Sequence, residues 1–240
     1  MLELVLVATG TAFATGLGAI PVSLLGSRAA RLRPALLGLA AGVMAVAAVA
    51  GLLLPALDDG SSLEVGLGLA VGVAFLLVAR RVLSIGRAEA ITGARRTSLL
   101  VFAVLFVHSL PEGLAIGTAY ASSTEGLALF IVVAIAIQNI PEGTSVAIPM
   151  EAAGYSGRQQ FWAAVMTSAP QPVGAVIAFL LVEQVSALLP ISFAFAAGAM
   201  LALVATELFP DAVRGNRREA LAGAAVGAAA MLALSSALGV

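Results

Sequence analysis

The chain contains no cysteine and no lysine, and it has a single histidine, His108. Without cysteine there are no disulfides, no thiolate metal ligands and no thiol redox motifs. Without lysine there is no phosphate-binding loop ending in Gly-Lys-Ser or Gly-Lys-Thr, so the chain lacks this type of ATP-binding site. Charged residues are only 10% of the 240 positions, whereas a soluble domain has about a quarter. These shortages exclude an ordinary soluble domain.

Apolar residues dominate instead. They make up 61% of the sequence, and the mean hydropathy is +1.08. They occur in runs long enough to cross a bilayer as helices. We predict an all-α, polytopic membrane protein whose eight transmembrane helices form a single domain over residues 1–240. The predicted spans are 2–26, 33–57, 62–85, 97–121, 126–150, 158–184, 187–209 and 217–239.

The arginines all lie in or beside alternate loops between the predicted spans, and the other loops carry acidic residues and no arginine. Cytoplasmic loops of membrane proteins are enriched in basic residues. With an even number of spans, this places both termini outside the cytoplasm. We expect a multi-pass protein of the plasma membrane, the inner membrane of a bacterium or archaeon. The arginines are Arg28, Arg31, Arg33, Arg80, Arg81, Arg87, Arg95, Arg96, Arg158, Arg214, Arg217 and Arg218, and the acidic loop residues are Asp58, Asp59, Glu64, Glu125 and Glu183.

Two segments with almost the same sequence lie in neighbouring predicted spans. Residues 108–113 read His-Ser-Leu-Pro-Glu-Gly, and residues 138–143 read Gln-Asn-Ile-Pro-Glu-Gly. In each segment the first residue and the glutamate are four positions apart, so both lie on one face of a helix. Both pairs fall near the bilayer midplane, where a carboxylate is costly and usually functional. The pairs are His108 with Glu112, and Gln138 with Glu142.

Each of these glutamates follows a proline, Pro111 or Pro141. Because proline has no backbone N–H to donate, we expect each helix to kink there and to leave a carbonyl free. Two carboxylates, an imidazole, an amide oxygen and two free carbonyls suit zinc, ferrous iron or manganese better than magnesium. From the residues alone, a cation site, a proton site and a purely structural role all remain open.

At these residues the chain resembles the ZIP family of divalent-metal transporters. The doubled Pro-Glu-Gly motif, in which Glu142 follows Glu112 at an interval of 30 positions, is the specific match. The resemblance covers nearly the whole chain. It implies an eight-helix, ZIP-type bundle with a metal pathway between the second, fourth, fifth and seventh helices. The other matching segments are 12–21, 39–44, 52–55, 172–175, 196–198 and 207–210.

The resemblance implies a first metal position at the bilayer midplane. Carried onto this chain, its ligands would be side chains of the two repeated segments, with Met44 of the second helix as a softer candidate. Methionine on its own more often fills gaps in a core, so both readings of Met44 stay open. The four ligands from the repeated segments would be His108, Glu112, Gln138 and Glu142.

Many bacterial ZIP relatives hold a second metal beside the first. Its ligands usually include Asn or Asp after the first residue of each motif, and a Glu before Pro-Val-Gly in the sixth helix. In this chain those positions are Ser109, Asn139 and Gln171. Serine is a weaker ligand and glutamine is neutral, so a second dication is attracted less strongly. We therefore predict one tight metal rather than two.

Two acidic residues lie near the cytoplasmic end of the seventh predicted span. Glu207 and Asp211 are four positions apart and share one helix face. They would form an exit station for the cation, or they would be interfacial acids facing water and Arg214. The sequence favours neither alternative.

We predict an importer of divalent metal cations rather than an enzyme, with zinc as first substrate and cadmium, ferrous iron and manganese as further ones. One alternative is a proton-coupled carrier of another solute. Another is an intramembrane metalloenzyme, which the single histidine and the lack of His-Glu-x-x-His disfavour. The expected partners are metal ions and the lipid bilayer, with no nucleic acid. Members of the family are often homodimers, but no motif in this chain fixes that state.

Overall fold

A computed structural model describes residues 1–85 and 93–240, and Arg87 of the predicted cytoplasmic loop lies outside these residues. Within the described ranges every regular element is a helix, as predicted. The α-helices are α1 (Leu2–Leu17), α2 (Ala19–Leu25), α3 (Arg33–Ala48), α4 (Leu54–Asp59), α5 (Ser62–Ile85), α6 (Gly93–Ala121), α7 (Leu127–Ala152), α8 (Gly157–Thr167), α9 (Pro170–Gln184), α10 (Leu189–Leu203), α11 (Phe209–Gly215) and α12 (Arg217–Leu238).

Seven helical stretches in the described part of the chain are long and apolar enough to cross a membrane. The longest has 58 residues and contains both of the first two predicted spans. The prediction of an all-helical, polytopic membrane protein is therefore confirmed. The stretches are Leu2–Asp59, Ser62–Leu83, Thr97–Ala121, Leu127–Ala152, Gly157–Gln184, Ser186–Gly215 and Arg217–Leu238.

Four irregular segments divide these stretches. A 3-10 segment, Gly26–Leu32, separates α2 from α3. Two π-helical turns, Val49–Leu53 and Val204–Leu208, each end two residues before a proline. A proline cannot donate to the carbonyl four residues earlier, and a wider turn absorbs the missing bond. The sixth predicted span is also interrupted, because α8 ends at Thr167 and α9 begins at Pro170.

Four pairs of helices run parallel and pack closely through glycines. In the pair α3 and α12, Gly38 faces the backbone of Ala220, and Gly42 faces that of Ala224 one turn later. Because the residue numbers of successive contacts increase along both helices, the two helices are parallel. Small residues let membrane helices approach to backbone contact, which compensates for the absence of a hydrophobic drive between them. The other pairs with such contacts are α1 with α7, α5 with α10, and α6 with α9.

Helix α7 lies between α1 and α3. One of these helices is parallel to α7 and the other is antiparallel to it. The side chain of Asn139 donates a hydrogen bond to the carbonyl of Thr11 at 2.7 Å. One turn later in both helices, the carbonyl of Thr15 lies against Gly143. Helix α1 therefore runs parallel to α7.

The contacts of α3 with α7 have the reverse order. Arg33 and Leu37, at the start of α3, line one cavity with Glu142, late in α7. Gly51, just beyond the end of α3, lies against Ile131 near the start of α7. Helix α3 is therefore antiparallel to α7 and to α1, although α1 and α3 belong to one continuous apolar stretch, Leu2–Asp59.

Three of the loops rich in arginine meet at one end of the bundle. Asp211 of α11 pairs with Arg214 at 2.6 Å and with Arg33 at the start of α3 at 3.4 Å. Glu207 pairs with Arg80, in the last turns of α5, at 3.2 Å. The segregation of charge along the sequence is thus a segregation in space.

The close contact between α3 and α12 gives a stability test at Gly42. A Cβ at this position would overlap the carbonyl oxygen of Ala224, whereas a Cβ on Gly66 of α5 would have no neighbour within 4 Å. We expect Gly42→Ala to lower the free energy of unfolding by about 1–3 kcal/mol, the usual cost of overpacking. Gly66→Ala should be neutral or stabilising by up to about 1 kcal/mol, because alanine favours a helix more than glycine.

The measurement is thermal unfolding of both variants in detergent, beside the unmodified chain. Equal stability of Gly42→Ala and Gly66→Ala would contradict the packing described for α3 and α12.

Candidate metal centre

The two Pro-Glu-Gly segments contact each other in the interior of the bundle. Helix α6 carries His108 and Glu112, and α7 carries Gln138 and Glu142, all with at most 4% of their surface exposed. The side-chain amide of Gln138 donates a hydrogen bond to Oε1 of Glu112 at 2.7 Å. Each helix continues through its proline without interruption.

The glycine that ends each Pro-Glu-Gly segment lies against the backbone of a third helix. A Cβ on Gly113 would overlap the carbonyl of Gln171 in α9, and a Cβ on Gly143 would overlap the carbonyl of Thr15 in α1. These glycines therefore let α9 and α1 approach the two glutamates. Gln171 uses this approach, because its amide donates to Oε2 of Glu112 at 2.7 Å.

Several buried polar atoms at this place have no hydrogen-bond partner. In the described part of the chain five buried side-chain atoms are unpaired, and four of them belong to residues predicted to bind or pass the metal. A buried polar atom without a partner is costly and calls for an explanation such as a ligand. The four atoms are Nδ1 of His108, Oε1 of Gln138, Oε1 of Glu142 and Oε1 of Glu207.

The acidic and imidazole groups are not gathered into a preformed cage. Among the described residues, no three His, Asp or Glu side chains lie close enough together to hold a metal by themselves. A cation at this place would therefore also use the amide oxygen of Gln138, or would draw the side chains together.

A cavity leads from Glu142 towards the end of the bundle that carries the arginines. Its volume is about 180 Å³, and its lining includes Glu142, Ser145, Glu207 and Asp211. His108 is also near this path, since its Nε2 lies 3.8 Å from Oε1 of Glu207. Glu142, one of the residues predicted for the midplane position, therefore borders the same cavity as both residues predicted for the exit.

The sequence of this chain matches a family of zinc transporters. The sequence model of the ZIP zinc-transporter family matches residues 84–235. The zinc transporter GufA of Myxococcus xanthus is 35% identical over 94% of this chain and 95% of its own length. This chain belongs to the ZIP zinc-transporter family.

Two further ZIP relatives extend the comparison. The zinc transporter ZIPB of Bordetella bronchiseptica is 33% identical over 94% of this chain and 78% of its own length. A putative zinc transporter of Arabidopsis thaliana is 35% identical over 94% of this chain. The match covers 37% of that plant protein, so the chain spans little more than a third of it.

The positions predicted for a second metal in this ZIP protein form a neutral hydrogen-bonded network. Gln171 accepts a hydrogen bond from Thr11 at 2.9 Å and from Asn139 at 3.3 Å through its Oε1. Its amide also lies 3.4 Å from Oδ1 of Asn139. Ser109 is a further hydrogen-bond partner of Glu112. The neutral side chains beside Glu112 thus satisfy each other's hydrogen-bond donors and acceptors.

Met44 is fully buried in the main apolar core of the bundle, on the helix α3 that packs against α7. It does not line the cavity between Glu142 and Glu207. Its surroundings in the structure are those of a core residue.

Two residues of this site were not predicted from the sequence. Thr11 of α1 joins the network of Gln171 and Asn139. Arg80 was assigned to a cytoplasmic loop, yet it pairs with Glu207, whereas Arg214 pairs with Asp211 instead. The signal for Arg80 was its position, six residues inside the predicted third span 62–85, where a charge needs a partner.

Proposed function

We propose that this chain carries zinc across a membrane through a site between α6 and α7. The observation that carries the proposal is the buried contact of the two Pro-Glu-Gly segments, with unpaired imidazole, amide and carboxylate atoms around it. Nitrogen and oxygen atoms of these kinds are ligands that zinc accepts. The relatives GufA and ZIPB, which share most of the chain, are named zinc transporters. ZIP proteins are transporters rather than enzymes.

His108, Glu112, Gln138 and Glu142 would bind the ion, and Glu207 followed by Asp211 would receive it on the way out. The cavity that Glu142 and Glu207 both line supports this order. Met44 would contribute only if its side chain turned from the core towards the ion. Cadmium, ferrous iron and manganese can use the same donor atoms, and we propose them as further substrates.

The chain would bind one metal tightly rather than two. In the neighbouring position the neutral side chains of Gln171 and Asn139 bond to each other, to Thr11 and to Glu112. A second dication would have to break these bonds and would gain no new negative charge. It would also repel the first ion across a short distance.

We further propose that the whole chain is a single transmembrane domain with eight passes. The 58-residue stretch Leu2–Asp59 would cross twice, since α1 and α3 follow α7 in opposite directions. In that case every glycine-linked pair joins two passes of the same direction. The end that carries Arg33, Arg80 and Arg214 would face the cytoplasm by the positive-inside bias, with both termini outside, in the plasma membrane.

Uptake into proteoliposomes tests the transport proposal. We expect saturable zinc uptake that falls at least about tenfold in Glu112→Gln and in Glu142→Gln, because each loses one of the two anionic ligands. Glu183→Gln, an exposed residue at the end of α9, is the matched control and should behave like the unmodified chain.

Cadmium, ferrous iron and manganese added as competitors should each reduce zinc uptake. Folded protein that moves no zinc under a zinc gradient or a proton gradient would refute the proposal. Uptake of an organic solute that zinc does not inhibit would instead favour the proton-coupled carrier.

The number of bound ions tests the proposal of one metal. Zinc titration of purified protein by calorimetry should give one tight ion per chain. Gln171→Glu adds a carboxylate beside Glu112 and should raise the number towards two, because anionic ligands increase the affinity for a second dication. Gln184→Glu, exposed at the other end of α9, should leave it at one. Two tight ions in the unmodified chain would disprove the prediction.

Single cysteines test the passes, since the chain has no cysteine of its own. Ser27 lies between α2 and α3, and Ser61 lies between α4 and α5, both exposed. In intact cells a membrane-impermeant maleimide should label Ser61→Cys and should label Ser27→Cys only after permeabilisation. Labelling of both from the same side would contradict two passes within Leu2–Asp59.

A further inference from the structure

Arg80 reaches from the last turns of α5 to the acidic residue at the cavity. Its Nε lies 3.2 Å from Oε1 of Glu207, and its terminal N–H donates to the carbonyl of Thr206 at 3.4 Å. That carbonyl lacks its usual helical donor, because Pro210 four residues later has no N–H. The π-helical turn Val204–Leu208 therefore offers the guanidinium a fixed acceptor beside the carboxylate.

The pair between Arg80 and Glu207 is a contact of charges without a directed hydrogen bond. Oε1 of Glu207 counts among the buried atoms with no hydrogen-bond partner, although the guanidinium is 3.2 Å away. An aligned, charge-assisted hydrogen bond would hold the carboxylate more firmly. The carboxylate is thus neutralised but remains available to another cation.

Glu207 connects the buried site to the exposed end of the bundle through this one oxygen. Nε2 of His108 lies 3.8 Å from the same Oε1 that faces Arg80. The exposed fractions of the three side chains rise along this line, from 3% for His108 through 18% for Glu207 to 43% for Arg80. An ion that moved from His108 to Glu207 would therefore reach the oxygen atom that the guanidinium of Arg80 already contacts.

The other acidic residue predicted for the exit is already paired. Asp211 lies within 2.6 Å of Arg214 and 3.4 Å of Arg33. Both of its oxygens are engaged, one by each arginine. Arg80 is therefore the cation placed to compete for Glu207.

We propose that Arg80 is a tethered cation that competes with the transported metal for Glu207 and so drives release of the metal at the cavity mouth. The proposal rests on the exit role proposed for Glu207. A guanidinium keeps its charge at every physiological pH. A metal ion on Glu207 displaces it, and its return to the carboxylate replaces the ion. Glu207 therefore does not bind the metal so tightly that release becomes slow, as a carboxylate without a neighbouring arginine would.

The test compares Arg80→Gln with the unmodified chain in zinc uptake and in zinc binding. Without the competing charge, zinc should stay longer at Glu207. We expect the concentration for half-maximal uptake and the maximal rate both to fall by about twofold to fivefold, which lies within the range for an exposed charge pair. Binding of zinc to purified Arg80→Gln should be tighter by a similar factor.

Three further variants separate competition from mere positioning of Glu207. Arg80→Lys keeps the charge and should restore most of the maximal rate. Arg80→Gln combined with Glu207→Gln should lose the tighter binding, because the carboxylate that binds the zinc is gone. Arg31→Gln removes an exposed arginine from the segment Gly26–Leu32 and should leave uptake and binding unchanged.

Each failure has a distinct meaning. Binding and uptake of Arg80→Gln equal to those of the unmodified chain would overturn the proposal. A lower rate with weaker zinc binding would also overturn it, because that result indicates that Arg80 only positions Glu207. If the unmodified chain moved no zinc, the transport proposal would fail, and the binding titration would still decide whether Arg80 competes with zinc for Glu207.

Discussion

The carboxylate of Glu112 is the group on which the centre of this protein depends. It is buried in an apolar bundle, where a carboxylate without partners is very costly. Two amides satisfy it, one from Gln138 and one from Gln171, each at 2.7 Å. Helices α6, α7 and α9 must therefore keep a fixed register around one side chain. Gly113 permits that register, because α9 could not reach Glu112 past a larger residue.

Most of the fold could be predicted from hydropathy and charge alone. The six later predicted spans each correspond to one apolar helical stretch, whereas the first two fall within a single stretch, Leu2–Asp59. A bilayer requires about 20 apolar residues per helix, which makes such stretches visible in the sequence. The interior breaks could not be predicted. The π-helical turns before Pro55 and Pro210 and the interruption at Ser168 depend on how neighbouring helices satisfy freed backbone groups. Such partners are distant in the sequence.

The candidate site was only partly readable from the sequence. The spacing of His108 with Glu112 identified one face of a helix. Glu112 on that face accepts a hydrogen bond from Gln138 of α7, whereas His108 lies 3.8 Å from Glu207. Arg80 and Glu207 are 127 positions apart in the sequence, and no local pattern links them. We expected a kink at Pro111 and at Pro141, and both helices continue through these prolines.

The glycine contacts have a consequence for how such a chain can vary. At Gly42, Gly113 and Gly143 the neighbouring group is a backbone carbonyl rather than a side chain. A mutation on the partner helix cannot make room, since every residue type carries the same carbonyl. Two side chains in contact can exchange volume over generations and leave a correlated signal, but these positions cannot. Each glycine at these tight contacts should therefore be invariant among related sequences. Analysis of correlated substitutions between pairs of positions should give no signal for these contacts.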